Sequence, residues 1–129
     1  MKEEVKHSLR KCRDALTRLQ QGIQSAKDEL DQDGVIQRFE FTVELFWKML
    51  KVTLAEQGIE CKTPRESLKG AFRVGWLKEE DVFLAMLEDR NKTSHLYSHE
   101  ESRKIFDRIQ NQYQPAMKRV LTQLQLKDG

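Results

Sequence analysis

Residues 35–57 read VIQRFEFTVELFWKMLKVTLAEQ, and their spacing decides the fold. Ile36, Phe39, Val43, Phe46, Leu50 and Leu54 recur at helical intervals and make one apolar face. Phe41, Leu45, Trp47, Met49 and Val52 put further apolar side chains on the other faces. A helix that is apolar on several sides must be covered on several sides. The other helices of so short a chain cover only part of it. The stretch therefore predicts a central bundle helix that also lines a subunit interface, and hence a homodimer. Gly58 follows as the helix stop.

On the N-terminal side, Val5, Leu9, Cys12, Leu16, Leu19, Ile23, Ala26 and Leu30 alternate steps of four and three, one apolar seam of coiled-coil type. The turn that ends this first helix is expected at Asp31-Gln32-Asp33-Gly34. On the C-terminal side, Thr63-Pro64-Arg65-Glu66 joins a capping box to a proline at the first helical position, and it opens a short helix that Gly75 ends. Another helix is expected from Lys78 or Glu79, with Val82, Phe83, Met86 and Leu87 inward and Glu79, Glu80 and Asp81 set against its N-terminal dipole. Ser98-His99-Glu100-Glu101 is a second capping box and starts the last helix, whose apolar face is Ile105, Ile109, Tyr113, Ala116, Val120 and Leu124. Pro115 should kink that helix because it removes a backbone donor. The fold class is all-α: an up-and-down four-helix bundle with one additional short helix, homodimeric, with residues 1–129 as a single domain.

The totals narrow the function classes. A net charge of +2 does not announce a nucleic-acid binder, and between Glu79 and Glu101 the acids Glu79, Glu80, Asp81, Glu88, Asp89, Glu100 and Glu101 outnumber Arg90 and Lys92. Lys48, Lys51, Lys62, Arg65, Lys69, Arg73 and Lys78 form a basic counterweight elsewhere. Cys12 and Cys61 are far apart and belong to no Cys/His cluster, so they read as reduced thiols. No apolar run has the length of a membrane span and the charged N-terminus lacks the apolar stretch of a signal peptide, which makes the cytoplasm the expected location. Glu40 and Glu44 lie one turn apart, yet no Glu-x-x-His accompanies them, so a di-iron site is not indicated. Residues 70–75 lack the ending of a phosphate-binding P-loop. No metal or cofactor is expected.

Chemistry gathers at Asp89 to Tyr97, just before the second capping box. Arg90, Asn91, His95 and Tyr97 lie within about two helical turns. Arg90 offers forked donors suited to phosphate, and His95 a group able to move protons near neutral pH. Asn91 and His95, four apart, share a face if the helix persists that far. The set suits phosphodiester chemistry without a metal. On residue chemistry alone it equally suits a capped, solvated helix end.

Arg90-Asn91-x-x-x-His95-x-Tyr97 resembles the R-x4-H-x-Y signature of the HEPN superfamily. Arg38-Phe39-Glu40-Phe41-Thr42-x-Glu44-Leu45-x-Trp47-Lys48 and the block from Asp89 to His95 resemble the two signature blocks of its nucleotidyltransferase substrate-binding branch, and the likeness runs the length of the chain. The resemblance implies a dimerising helical bundle encoded beside a minimal nucleotidyltransferase. In toxin-like members the signature Arg and His form a metal-independent ribonuclease site built from both subunits. Carried over, Arg90 would stabilise charge on the scissile phosphate, His95 would act as general acid or base, and Asn91 would orient groups in the site. Tyr97 would receive AMP from the nucleotidyltransferase, which acts as antitoxin. Glu44, if near Arg90, would orient the guanidinium, and Asp89 is the other supporting candidate. The resemblance equally covers a subunit that binds nucleotide or substrate for its partner and cuts nothing. A third reading of the residues is a plain helical interaction module.

Overall fold

The computed structural model describes residues 2–96 and 98–128. Its described residues form α1 (Glu3–Ser25), α2 (Glu29–Glu56), α3 (Pro64–Arg73), α4 (Glu80–Lys92), a 3-10 turn (Thr93–His95), α5 (His99–Arg108), a π turn (Ile109–Tyr113) and α6 (Gln114–Asp128). Four long rods, with α5, the π turn and α6 making the fourth, build the expected up-and-down bundle, and α3 is the additional short helix. No strand occurs among the described residues.

α2 is the axis of the bundle and packs against α1, α3, α4 and α5, while α6 closes on α1. Val35, Ile36, Phe39, Val43, Phe46, Met49, Leu50 and Leu54 of α2 are all buried. Aromatic stacking ties the layers together: Phe39 lies 5.7 Å from the Tyr113 ring and Phe46 lies 5.6 Å from Phe83. Each such pair adds about 1 kcal/mol to the area it buries. The second apolar set of α2 divides. Met49 is core, Leu45, Trp47 and Val52 are half-buried, and Phe41 stands 58% exposed.

The first turn differs from the sequence reading. α1 ends at Ser25, and α2 already begins at Glu29, so Asp31 to Gly34 is helical. The cause is local capping. The Asp28 carboxylate accepts the Asp31 N–H at 2.9 Å, and the Asp31 carboxylate accepts the Lys27 N–H at 2.9 Å. Leu30, read as the last residue of the α1 seam, is 77% exposed in the first turn of α2.

The other boundaries follow their signals. Thr63 accepts the Glu66 N–H and Ser98 accepts the Glu101 N–H. Gly58 (φ 82°) and Gly75 (φ 86°) take the left-handed conformation that closes a helix, with Ile59 N–H donating to Leu54 C=O and Trp76 N–H to Ala71 C=O. Pro115 expresses itself as the π turn. Its ring leaves the carbonyl four residues back without a donor, and the chain widens so that the Gln114 N–H donates to Ile109 C=O.

Candidate functional site

The site candidates cluster where α4 ends. α4 gives way at Lys92 to the 3-10 turn, and Thr93 marks the change, its hydroxyl and its N–H both donating to the Arg90 carbonyl. The α-helix therefore does not persist to His95, so Asn91 and His95 do not share an α-helical face. Both are exposed. Tyr97 lies outside the described residues.

Asp89 and Arg90 are adjacent and point to different neighbours. Asp89, 4% exposed, turns toward the last rod. It accepts Nε and Nη2 of Arg108 at 2.6 and 3.0 Å, and the Tyr113 hydroxyl at 2.5 Å. The bond to Asp89 pushes the Arg108 guanidinium further up. Burial, then the hydrogen bond to the Asp89 carboxylate, pushes the Tyr113 phenol well above its usual range. Asp89 thus anchors the end of α4 through Arg108 and Tyr113.

Arg90 turns toward α2. Its Nη1 lies 3.6 Å from Glu40 Oε2 and its Nη2 3.9 Å from Glu44 Oε1. Its Nε is buried and has no hydrogen-bond partner among the described residues. The guanidinium is therefore bracketed by two carboxylates and keeps an unused donor. Glu44 is divided among several neighbours, since it also accepts Trp47 Nε1 at 3.3 Å and lies 3.8 Å from Lys48 Nζ. Glu44 does lie near Arg90, with its side chain 41% exposed, and Glu40 reaches the guanidinium more closely.

Two hollows meet here. A groove of about 900 Å³ runs between α1 and α2, and Arg90 lines it together with Lys11, Arg18, Arg38, Phe41 and Leu45. A smaller one of about 350 Å³ lies under the 3-10 turn, lined by Glu29, Asp33, Thr93, Leu96 and His99. Glu40 lines both. No group of three or more His, Cys, Asp or Glu side chains suited to a metal ion occurs among the described residues.

Three residues around this site escape the sequence reading. Spacing presents Glu40 only as half of a metal pair, Tyr113 only as a member of an apolar face, and Arg108 not at all. The signal for Glu40 is present, because a carboxylate one turn from Glu44 shares its face.

A helix bundle that ends one helix in an arginine bracketed by carboxylates, on a turn leading to a histidine, is of the HEPN-like all-α class. The family model described as "Nucleotidyltransferase substrate binding protein like" matches residues 7–126, and the chain belongs to that family. A solved protein from Thermus thermophilus superposes with a TM-score of 0.82 at 35% identity, covering 88% of this chain and 98% of that one. A Haemophilus influenzae structure, described as revealing the fold of a substrate binding domain of a nucleotidyltransferase, superposes with a TM-score of 0.79 at 25% identity over 91% of this chain and 98% of that one. A curated Haemophilus influenzae relative named "Probable ribonuclease HepT" is 32% identical over 81 residues, 59% of this chain. The match spans 56% of that relative's length, little more than half. No described helix is long and apolar enough to cross a membrane.

Proposed function

We propose that this chain, a single HEPN-like bundle domain over residues 1–129, is the cytoplasmic toxin half of a two-component system: a metal-independent ribonuclease paired with a minimal nucleotidyltransferase. The observation that carries the reading is Arg90, lining a groove at the end of the helix that leads to His95, with one buried donor unused. Arg90 takes the scissile phosphate of an RNA strand, His95 moves a proton, and Asn91 orients the substrate. Asp89 and Glu44 hold the arginine's surroundings in place. The family membership and the ribonuclease name of the curated relative support the reading.

Two copies form the working unit. The exposed Phe41 ring, with half-buried Leu45 in the same groove as Arg90, gives α2 an apolar face that a second copy covers. The nucleotidyltransferase switches the site off by placing AMP on Tyr97. The added phosphate brings negative charge and bulk that compete with the substrate for Arg90.

A second reading has one observation in its favour. Glu40 and Glu44 already neutralise Arg90, which suits a subunit that presents substrate or nucleotide to the partner and cuts nothing. One experiment separates them. Arg90→Ala and His95→Ala, purified as folded protein, are expected to lose RNA cleavage and growth toxicity, and co-expression with the neighbouring nucleotidyltransferase is expected to add AMP mass to Tyr97. Toxicity equal to wild type in both variants would reject the ribonuclease reading in favour of the binding subunit.

A further inference from the structure

Cleavage of RNA by its own 2′-hydroxyl moves two protons, one leaving O2′ as it attacks and one reaching O5′ as it departs. A single imidazole serves one of these transfers at a time, so the other falls to a second proton-handling group. Of the two carboxylates that bracket Arg90, Glu40 comes closer. Its Oε2 is 3.6 Å from Arg90 Nη1, and its side chain keeps 34% exposure, enough to meet a substrate. It lines both the groove that Arg90 lines and the hollow that Thr93 and Leu96, on either side of the segment bearing His95, help to line. Glu44 fits less well, being farther from the guanidinium and already engaged by Trp47 and Lys48.

We propose that Glu40 is the general base of the cleavage, with His95 as its general acid; the assignment rests on the ribonuclease reading above. The Glu40 carboxylate takes the proton from the 2′-hydroxyl, and O2′ forms a bond to phosphorus. The P–O5′ bond breaks with its electron pair going to O5′, which takes a proton from the His95 imidazolium. Arg90 compensates the charge on the non-bridging oxygens. The products are a 2′,3′-cyclic phosphate and a 5′-hydroxyl end, and exchange with water returns both side chains to their starting states.

The charges that face Glu40 set the frame for a pH test. Arg90 faces it from α4 and His99 lies across the smaller hollow from α5. Glu29, Asp33 and Glu44 share its helix, and α1 presents Lys11, Asp14 and Arg18 along the groove. Arg90 is the one of these in direct contact, so it orients the carboxylate toward the phosphate it binds itself.

The test follows cleavage of a labelled, mixed-sequence single-stranded RNA by the full chain across pH. Glu40→Gln keeps an oxygen for Arg90 and removes the base. Turnover is expected to fall about 100-fold with KM within about threefold, and the limb of the pH profile that rises from the acid side is expected to vanish. Glu40→Ala is expected to regain at least tenfold on addition of formate, which a merely structural role for the side chain would not allow. A Glu40→Gln profile with both limbs intact, or no formate rescue, would overturn the assignment and leave the second proton to the imidazole of another copy. In either case Arg90→Ala still abolishes cleavage, so the ribonuclease reading survives. Failure of the wild type to cleave would overturn that reading and this assignment together.

Discussion

Replacing Tyr113 by Phe tests the anchor at the end of α4. The Tyr113 ring is fully buried and stacked on Phe39, and its hydroxyl donates to a carboxylate that is itself 4% exposed. Phe keeps the stack and deletes that single bond. A hydrogen bond to a charged group is worth about 1.5–3 kcal/mol, and Asp89 retains both Arg108 bonds, so a loss of about 2 kcal/mol is expected. Asp89→Ala should cost more. It strands the Tyr113 hydroxyl without its acceptor, about 1–3 kcal/mol, and frees Arg108. The Arg108 side chain is 37% exposed, so its share is discounted to under about 1 kcal/mol. The expected total is about 3 kcal/mol. In the double variant no hydroxyl is left to strand, so the two losses should fall short of additivity by about 1.5 kcal/mol. Urea unfolding followed by circular dichroism reads all four proteins, with unchanged slopes as the condition for comparison. A Tyr113→Phe protein within about 0.3 kcal/mol of wild type, or strictly additive losses, would refute the account of a hydroxyl bonded to a buried carboxylate.

Three further outcomes follow from the same structure. Phe41→Glu puts a charge on the exposed α2 face and should turn a dimer into a folded monomer in analytical ultracentrifugation; a dimer at every concentration would place the interface elsewhere. Thr63→Ala removes the acceptor for the Glu66 N–H and should cost about 1 kcal/mol by urea unfolding, where no change would mean the cap is idle. Burial pushes the Cys12 thiol from 9.0 up to about 12, and a group whose folded value is raised stabilises below its unfolded value and loses that contribution as pH rises toward the folded one. Stability should therefore decline between pH 9 and about 12. Cys12→Ala, though weaker at neutral pH, should decline less steeply, the remainder coming from Tyr113 above pH 10, and an unchanged slope would count against the buried thiol.

The parts of the fold that were legible are those set by short-range rules. Thr63 and Ser98 declared the starts of α3 and α5 because a side chain that bonds an N–H three residues on needs no tertiary help. The turn before α2 was misplaced because Asp31 to Gly34 carries breaker residues, while the capping pair Asp28 and Asp31 outweighs them. Periodicity established that α2 is apolar on several faces, yet it could not tell Met49, which its own chain buries, from Phe41, which it leaves open. The Arg and His of the signature are legible as a pattern in the sequence. The support around them was not, because Asp89 finds Arg108 nineteen residues away and Tyr113 twenty-four away. Those two partners lie five apart, a spacing that a regular α-helix turns to different sides and a π turn brings to one side.

The wide turn at Ile109–Tyr113 also governs which insertions and deletions the protein tolerates. It stores one residue more than regular winding would, and each residue of an α-helix advances the next by about 100°. Deleting one position in it restores ordinary coiling and leaves every later side chain on the face it already has, whereas deleting one from the regular winding of α6 before Met117 swings the later ones about the axis by that amount. In the latter case Lys118 takes the buried place of Met117, Thr122 that of Leu121 and Gln125 that of Leu124. A length change of one residue in the regular winding is equivalent to several core substitutions at once, whereas the loss of one from the wide turn, or a change in the loop between Gly58 and Thr63, leaves the facing of the helices untouched.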